Sequence, residues 1–264
     1  MVGFWWDTIA RTRTLEERRL HYYVETLAEF SKRRSMSLRE IQQVSGRMQR
    51  GVMTLPPGAA CLLSNLFSLM RGLSRPWQKR RTTSALRRDL GDMAHLLGLN
   101  MGRGYFAFDR FERAPDVYTD ASKSSRYAGG GYLSLCGRCH YWIYGRAAAR
   151  RPIDFLEGDT VVAAVTDLGH LWQGRLVPFH IDNQAFQRSA LKGWSHAERL
   201  SLLIRKLFIL TLRFGCILEY HWIATGDNLY ADALSREGGF PRFLALLYEH
   251  SLSLIHISEP TRPY

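Results

Sequence analysis

The apolar positions change their period near residue 102. Before that point they recur three to four residues apart, the spacing of helices that bury one face. Leu20, Tyr23, Leu27 and Phe30 share one face of a helix predicted to run to about Lys32. Thr14-Leu15-Glu16-Glu17 reads as the capping box that opens it, a Thr hydroxyl for an early amide with Glu17 reaching back. Ser37-Leu38-Arg39-Glu40 reads as a second box, opening a helix through about Arg50. Pro56-Pro57-Gly58 breaks the chain ahead of a third helix, from Ala59 to about Arg71. A fourth covers roughly residues 84–97, with Gly98 placed to stop it. Ahead of them all, Val2-Gly3-Phe4-Trp5-Trp6-Asp7 is strand-like and starts abruptly, as if cut from a longer chain.

From Pro115 the pattern becomes that of strands. Residues 116–121, 127–136 and 139–144 are three strand-like runs, the last two joined by a two-residue hairpin signal, Gly137-Arg138. A helix is predicted from Ile153 to about Trp172, a strand over 176–182, a long helix over 197–214, a strand over 216–224 and a short helix over 227–236. The order βββ-α-β-α-β-α predicts an α/β domain: a mixed five-stranded sheet with helices on its faces.

Composition adds a partner class. The 264 residues are 46% hydrophobic, enough for a sizeable core, and carry a formal net charge of +12. That balance favours a polyanion, nucleic acid before an anionic membrane. The excess is concentrated in residues 1–115, with about twenty Lys and Arg against about ten Asp and Glu. Arg47, Arg50, Lys79, Arg80, Arg81, Arg87 and Arg88 form basic faces there, either solvated helix surface or a track for phosphates. Four cysteines are too few for a disulfide scaffold and fit a reducing compartment. The longest apolar region, 200–217, is broken by Arg205, Lys206 and Arg213, so a soluble protein without a membrane span is expected, in the cytoplasm or nucleus.

Four carboxylates fall at element ends. Asp120 closes the first strand, Glu157 opens the first long helix, Asp182 ends the fourth strand and Asp232 lies on the helix after the fifth. Sites in α/β sheets form at the carboxyl ends of strands, and the first, fourth and fifth strands are expected to be parallel neighbours. Taken singly, Asp120 is a turn residue as readily as a catalyst; four converging acids are not. They repel unless a cation compensates, and hard oxygen ligands suit two Mg²⁺ or Mn²⁺ ions rather than zinc. Such a pair serves phosphodiester hydrolysis. Asp116 lies four residues back along its strand, about 13 Å away, and is left out.

Tyr118-Thr119-Asp120-Ala121-Ser122, Phe155-Leu156-Glu157, His180-Ile181-Asp182-Asn183 and the run from Asp227 to Arg236 resemble the ribonuclease H domain of retroelement reverse transcriptases. The last segment, Ala231-Asp232-Ala233-Leu234-Ser235-Arg236, is most similar to gypsy-type and DIRS-type retrotransposon versions. Residues 14–100 resemble the thumb and connection of the same polyproteins, and 2–7 the end of the palm. The resemblance implies a palm remnant over 1–12, a mainly helical thumb and connection region over 13–112, a ribonuclease H-like domain over 113–240 and a tail over 241–264. It implies metal-dependent hydrolysis of the RNA strand of RNA/DNA hybrids, with the rest of the polyprotein as partner. Asp120 bridges both ions in that reading, Glu157 and Asp182 complete one shell and Asp232 the other. Asn183, and Ser122 or the backbone near it, meet 2′-hydroxyls.

Two departures qualify it. No Asp-Asp pair occurs, so no polymerase activity is expected. The loop Thr225-Gly226-Asp227-Asn228 lacks the histidine of cellular ribonucleases H. The alternative is a non-catalytic nucleic-acid-binding or structural remnant of such a polyprotein. Among weaker signals, Cys136-Gly137-Arg138-Cys139-His140 lacks a second ligand pair for zinc, and Gly129-Gly130-Gly131 reads as a close approach rather than a phosphate loop. His196-Ala197-Glu198 reads as a helix cap, and Trp77, Trp142, Trp172 and Trp222 as core residues, one of which could stack on a base. Residues 251–264 (SLSLIHISEPTRPY) resemble translated adapter sequence and are set aside from the fold.

Overall fold

A computed structural model describes residues 3–99 and 102–249; the unusual tail, 251–264, lies outside the described residues. The chain divides into two units, Met1–Arg110 and Phe111–Tyr264.

The first unit holds β1 (Phe4–Asp7), β2 (Thr12–Leu15), α1 (Glu17–Lys32), β3 (Ser35–Ser37), α2 (Leu38–Val52), α3 (Ser64–Met70), β4 (Lys79–Arg81), α4 (Ser84–Leu99) and β5 (Arg103–Tyr105). It is less purely helical than its periodicity predicts. Thr14 is not a cap: it lies in β2, which pairs with β1 and β5, and α1 starts after Glu16 without a side-chain cap. Strand pairing competes for the same Thr, and the ladders that set Thr14 beside Trp5 and Arg103 decide it. The box at Ser37 does form, with Ser37 and Glu40 bonding each other's backbone. Gly98 does not stop α4, which is capped instead at its start by Thr83 and runs through Leu99.

The second unit continues with β6 (Glu112–Arg113), β7 (Val117–Lys123), β8 (Ala128–Ser134), β9 (Arg138–Ile143), α5 (Arg146–Ala149), α6 (Ile153–Leu168), β10 (Arg175–Ile181), α7 (Gln184–Lys192), α8 (Glu198–Phe214), β11 (Ile217–Trp222), α9 (Leu229–Ser235) and α10 (Gly239–Glu249). The sheet order is β11-β10-β7-β8-β9, with β10 parallel to both β11 and β7 and the remaining pairs antiparallel. This is the predicted mixed sheet, with β6 added as a sixth, short strand along β10. β6 and β7 share that edge of β10, interrupted around Pro115, which has no N–H for the ladder. The hairpin differs from its signal: Arg138 already pairs with Ser134, so the loop is Leu135-Cys136-Gly137, with Gly137 at φ +86°. That is a three-residue loop with glycine at its left-handed position.

Alternation along the strands sends Val117, Val177, Phe179, Ile181 and Leu218 into a core with α6 and α8. Cys139, Ala233, Leu234 and Phe243 form a second cluster with α9 and α10 on the other face. Gly129-Gly130-Gly131 lets both layers approach β8. A Cβ on Gly129 would lie 2.2 Å from the Ser235 carbonyl oxygen, and one on Gly131 2.7 Å from Leu234 Cβ, both in α9. A Cβ on Gly130 would meet Thr160 of α6 and Trp142, each at 2.7 Å. Of the tryptophans, Trp172 is buried and Trp142 partly buried, but Trp77 and Trp222 are exposed rather than core. Neither lies where a hydrophobic face requires it: Trp77 sits beside Arg75, and Trp222 is the last residue of an edge strand. Ala197 precedes α8 without a side-chain cap, so the predicted cap at 196–198 does not form; the Ser195 hydroxyl accepts from the Ala197 amide instead. No described helix is long and apolar enough to cross a membrane.

Candidate metal centre

The parallel register brings the first two acids together. Val117, Tyr118 and Thr119 lie beside Phe179, His180 and Ile181, so the next residue along each strand, Asp120 and Asp182, fall side by side. Glu157 arrives from the second turn of α6, which packs on β7. Oxygens of Asp120, Glu157 and Asp182 all lie within 4.8 Å of one another. Asp120 and Glu157 are each only 3% exposed.

Such a cluster is costly. Burial pushes the Asp120 carboxyl up to about 7, reinforced by Asp182 and Asp232 and opposed by a hydrogen bond from Ser235. Burial, then Asp120 and Asp182, raise the Glu157 carboxyl well above the ordinary range. Burial raises Asp182 too, against a hydrogen bond donated by the Thr225 hydroxyl at 3.0 Å. The Glu157 Oε2 atom is buried with no hydrogen-bond partner. A buried acceptor without a donor costs roughly 1–3 kcal/mol, more if charged, unless something absent from the chain satisfies it. Hard oxygens converging from two buried carboxylates and a half-buried third, one of them orphaned, fit a divalent cation such as Mg²⁺ or Mn²⁺.

Asp232, the fourth predicted acid, is placed differently. Its charge is felt by all three others. Both its oxygens, however, accept from Arg236, the residue that follows α9, at 2.8 Å from Nε and 2.5 Å from Nη2. The structure therefore brings three acids into one cluster and leaves the fourth beside it, held by that arginine. Asp116 stays outside and pairs with His180 at 2.9 Å.

Several residues without an assigned part in the sequence analysis hold this centre. The Ser235 hydroxyl donates to Asp120 Oδ2. Asn228, nearly fully buried, donates its amide to the Thr119 carbonyl at 2.9 Å and ties the start of α9 to β7. Trp222 Nε1 donates to the Asp182 carbonyl at 3.0 Å. All lie within or beside the quoted motifs. Their partners are about 40 to 115 residues away in sequence, so no local pattern announces the roles.

The residues predicted to meet nucleic acid are largely occupied. The Ser122 hydroxyl donates to the Ser235 carbonyl at 2.5 Å, fixing α9. Asn183 Oδ1 caps α7 by accepting from the Phe186 amide at 3.0 Å. In the first unit Arg47 bonds the Tyr22 hydroxyl at 2.6 Å and Arg50 that of Tyr23 at 3.3 Å. Lys79, Arg80 and Arg81 form β4 and are all exposed.

No family model matches the chain, and no curated protein does. Solved structures similar to it include ribonuclease H1 from the archaeon Halobacterium salinarum, at 17% identity over 46% of this chain and 92% of that one, TM-score 0.39. An N-terminal ribonuclease H domain from Mycobacterium tuberculosis aligns at 16% identity over 52% of this chain and 99% of that one, TM-score 0.39. LC11 ribonuclease H1, solved with an RNA/DNA hybrid, aligns at 18% over 46% of this chain and 93% of that one, TM-score 0.40.

Proposed function

We propose that the second unit is a divalent-metal-dependent nuclease that hydrolyses the RNA strand of RNA/DNA hybrids, as part of a retrotransposon reverse transcriptase polyprotein. The observation that carries the reading is the convergence of Asp120 and Asp182, at the carboxyl ends of parallel strands, with Glu157 of α6, Asp120 and Glu157 being buried and Asp182 half-buried. The retrotransposon context rests on the sequence from Ala231 to Arg236 and the motifs quoted with it.

Asp120, Glu157, Asp182 and Asp232 are the metal-holding residues, with Asp120 central because it neighbours each of the others. Bound divalent ions would neutralise the cluster, activate a water and stabilise the leaving oxygen of the phosphodiester. The chain's own work is positional. Ser235 orients Asp120, Thr225 orients Asp182, and Asn228 fixes the helix that carries Asp232. The Asn183 cap uses the amide's acceptor, and its donor side would serve a 2′-hydroxyl. The basic strand β4 is a phosphate contact. The Arg236 ion pair favours the second reading, a non-catalytic binding module whose fourth carboxylate is engaged by a neighbouring arginine.

A labelled RNA/DNA hybrid incubated with the full chain and Mg²⁺ tests the assignment. Cleavage of the RNA strand, abolished by EDTA and by Asp120→Asn, is expected. Binding without cleavage favours the second reading. Cleavage that persists in Asp120→Asn refutes the site.

A further inference from the structure

A second site lies on the other side of α6. A cavity of about 980 Å³ opens between α6 and the edge strand β9, and none of the four acids lines it. One wall is aromatic: Tyr132 and His140 stack at 6.0 Å, His140 and Trp142 lie 5.8 Å apart, and Trp142 meets Tyr144 edge-on at 5.8 Å. The other wall is a single helical stripe, Asp159, Val162, Ala163, Thr166 and Asp167. Its two carboxylates are eight residues apart, about 12 Å along the helix. Asp159 follows Glu157 by two residues, roughly 200° around the axis, so the helix presents one acid to each site. Arg138 and Lys206, both exposed, stand at the rim.

These groups select a ligand class. An apolar ligand would strip water from two carboxylates without replacing it. A simple anion meets those carboxylates, and a simple cation meets Arg138 and Lys206. A flat ring that stacks on His140 and Trp142, carries N–H or O–H donors at both ends and ends in an optional phosphate satisfies every wall. Each carboxylate already holds a tyrosine hydroxyl, Tyr144 at Asp159, which Lys206 also faces, and Tyr132 at one Asp167 oxygen at 3.0 Å, which leaves the other Asp167 oxygen for a ligand donor. We propose that this cavity binds a nucleoside or nucleoside monophosphate, its base on the aromatic wall, its ribose hydroxyls donating to one α6 carboxylate and any phosphate at the basic rim. Stacking of this kind contributes roughly 5- to 150-fold in affinity per base. The proposal is independent of the metal centre.

The test is calorimetry and tryptophan quenching on the full chain in EDTA, where hydrolysis is silent, with adenosine, 2′-deoxyadenosine, AMP and ribose 5-phosphate as probes. Saturable binding of adenosine and AMP is expected, with deoxyadenosine several-fold weaker and ribose 5-phosphate undetectable. Trp142→Leu should weaken adenosine and AMP at least tenfold. Lys206→Ala, on the exposed rim, should weaken AMP and leave adenosine unchanged. Asp167→Asn should erase the preference for adenosine over deoxyadenosine, and serves with Lys206→Ala should Trp142→Leu fail to fold. Absence of saturable binding overturns the site. So does binding that none of the three substitutions changes, or equal binding of ribose 5-phosphate. Because EDTA removes the metal, failure here leaves the nuclease reading untouched, and failed cleavage leaves this one.

Discussion

Asp120→Asn should stabilise the metal-free protein while removing its response to metal. The Asp120 carboxyl titrates at about 7 in the fold against an ordinary 3.8, chiefly because it is buried. For an acid raised in this way the folded state binds the extra proton, so stability is greatest at low pH and is lost as pH rises from about 4 through about 7. The gap is roughly three pH units, and at 1.36 kcal/mol each it costs about 4 kcal/mol at pH 8. Asparagine resembles the protonated acid and escapes that cost. We expect it to gain about 2–4 kcal/mol at pH 8, about 1–2 kcal/mol at pH 5 and little below pH 4. In scanning calorimetry this is a rise on the order of 5–10 °C at pH 8 for the transition of the unit carrying the site. Mg²⁺ should raise that transition in the wild type and much less in the variant. A gain of equal size at pH 5 and pH 8, or none at pH 8, would refute the claim that a buried, repelled charge is what this centre stores.

Three further substitutions probe the supports. Ser235→Ala removes the hydrogen bond that holds Asp120 down, so its carboxyl should move above about 7 by roughly one to two pH units, read by carbon NMR of labelled aspartate; a downward move sinks the assignment. Arg236→Gln frees both oxygens of Asp232, and Mn²⁺ calorimetry should show the weaker of two binding events strengthened by about tenfold, or about 1.4 kcal/mol; two unchanged events would mean the ion pair does not compete with metal. Gly129→Ala sets a Cβ against the Ser235 carbonyl, which cannot swing aside as a side chain can, and should cost roughly 1–3 kcal/mol in urea titration; a neutral result would show that α9 is free to retreat from β8.

Much of the architecture was legible because its signals are local. Strands β7, β10 and β11 and helices α6 and α8 follow from alternation and helical period, and their order dictates the sheet. Misreadings arose where one short pattern serves two structures. Thr14 satisfies a capping box and an alternating strand equally, and pairing with β1 and β5 chose the strand. Helix α7 went unread because its stop-and-start residues, Asn183 and Gly193, bracket only nine positions. Helix α10 carries its own signal, Phe240, Phe243, Leu244 and Leu247 at helical spacing against the second core, within the stretch expected to be a tail.

The sequence by itself determined which residues carry charge at the carboxyl ends of strands. Two of those acids, Asp120 and Asp182, meet because register in a parallel sheet follows from the residues that alternate into its core, and Glu157 joins them from α6, which packs on β7. Tertiary structure alone decided what the two buried acids do with their oxygens. It gave Asp120 a serine from α9 and left Glu157 Oε2 without a donor, whereas the Arg236 pair of Asp232, four residues along the chain, is a local contact. Hydrogen bonds and like-charge repulsion act over a few ångströms in space, and the groups they join here are separated by up to 115 residues of chain.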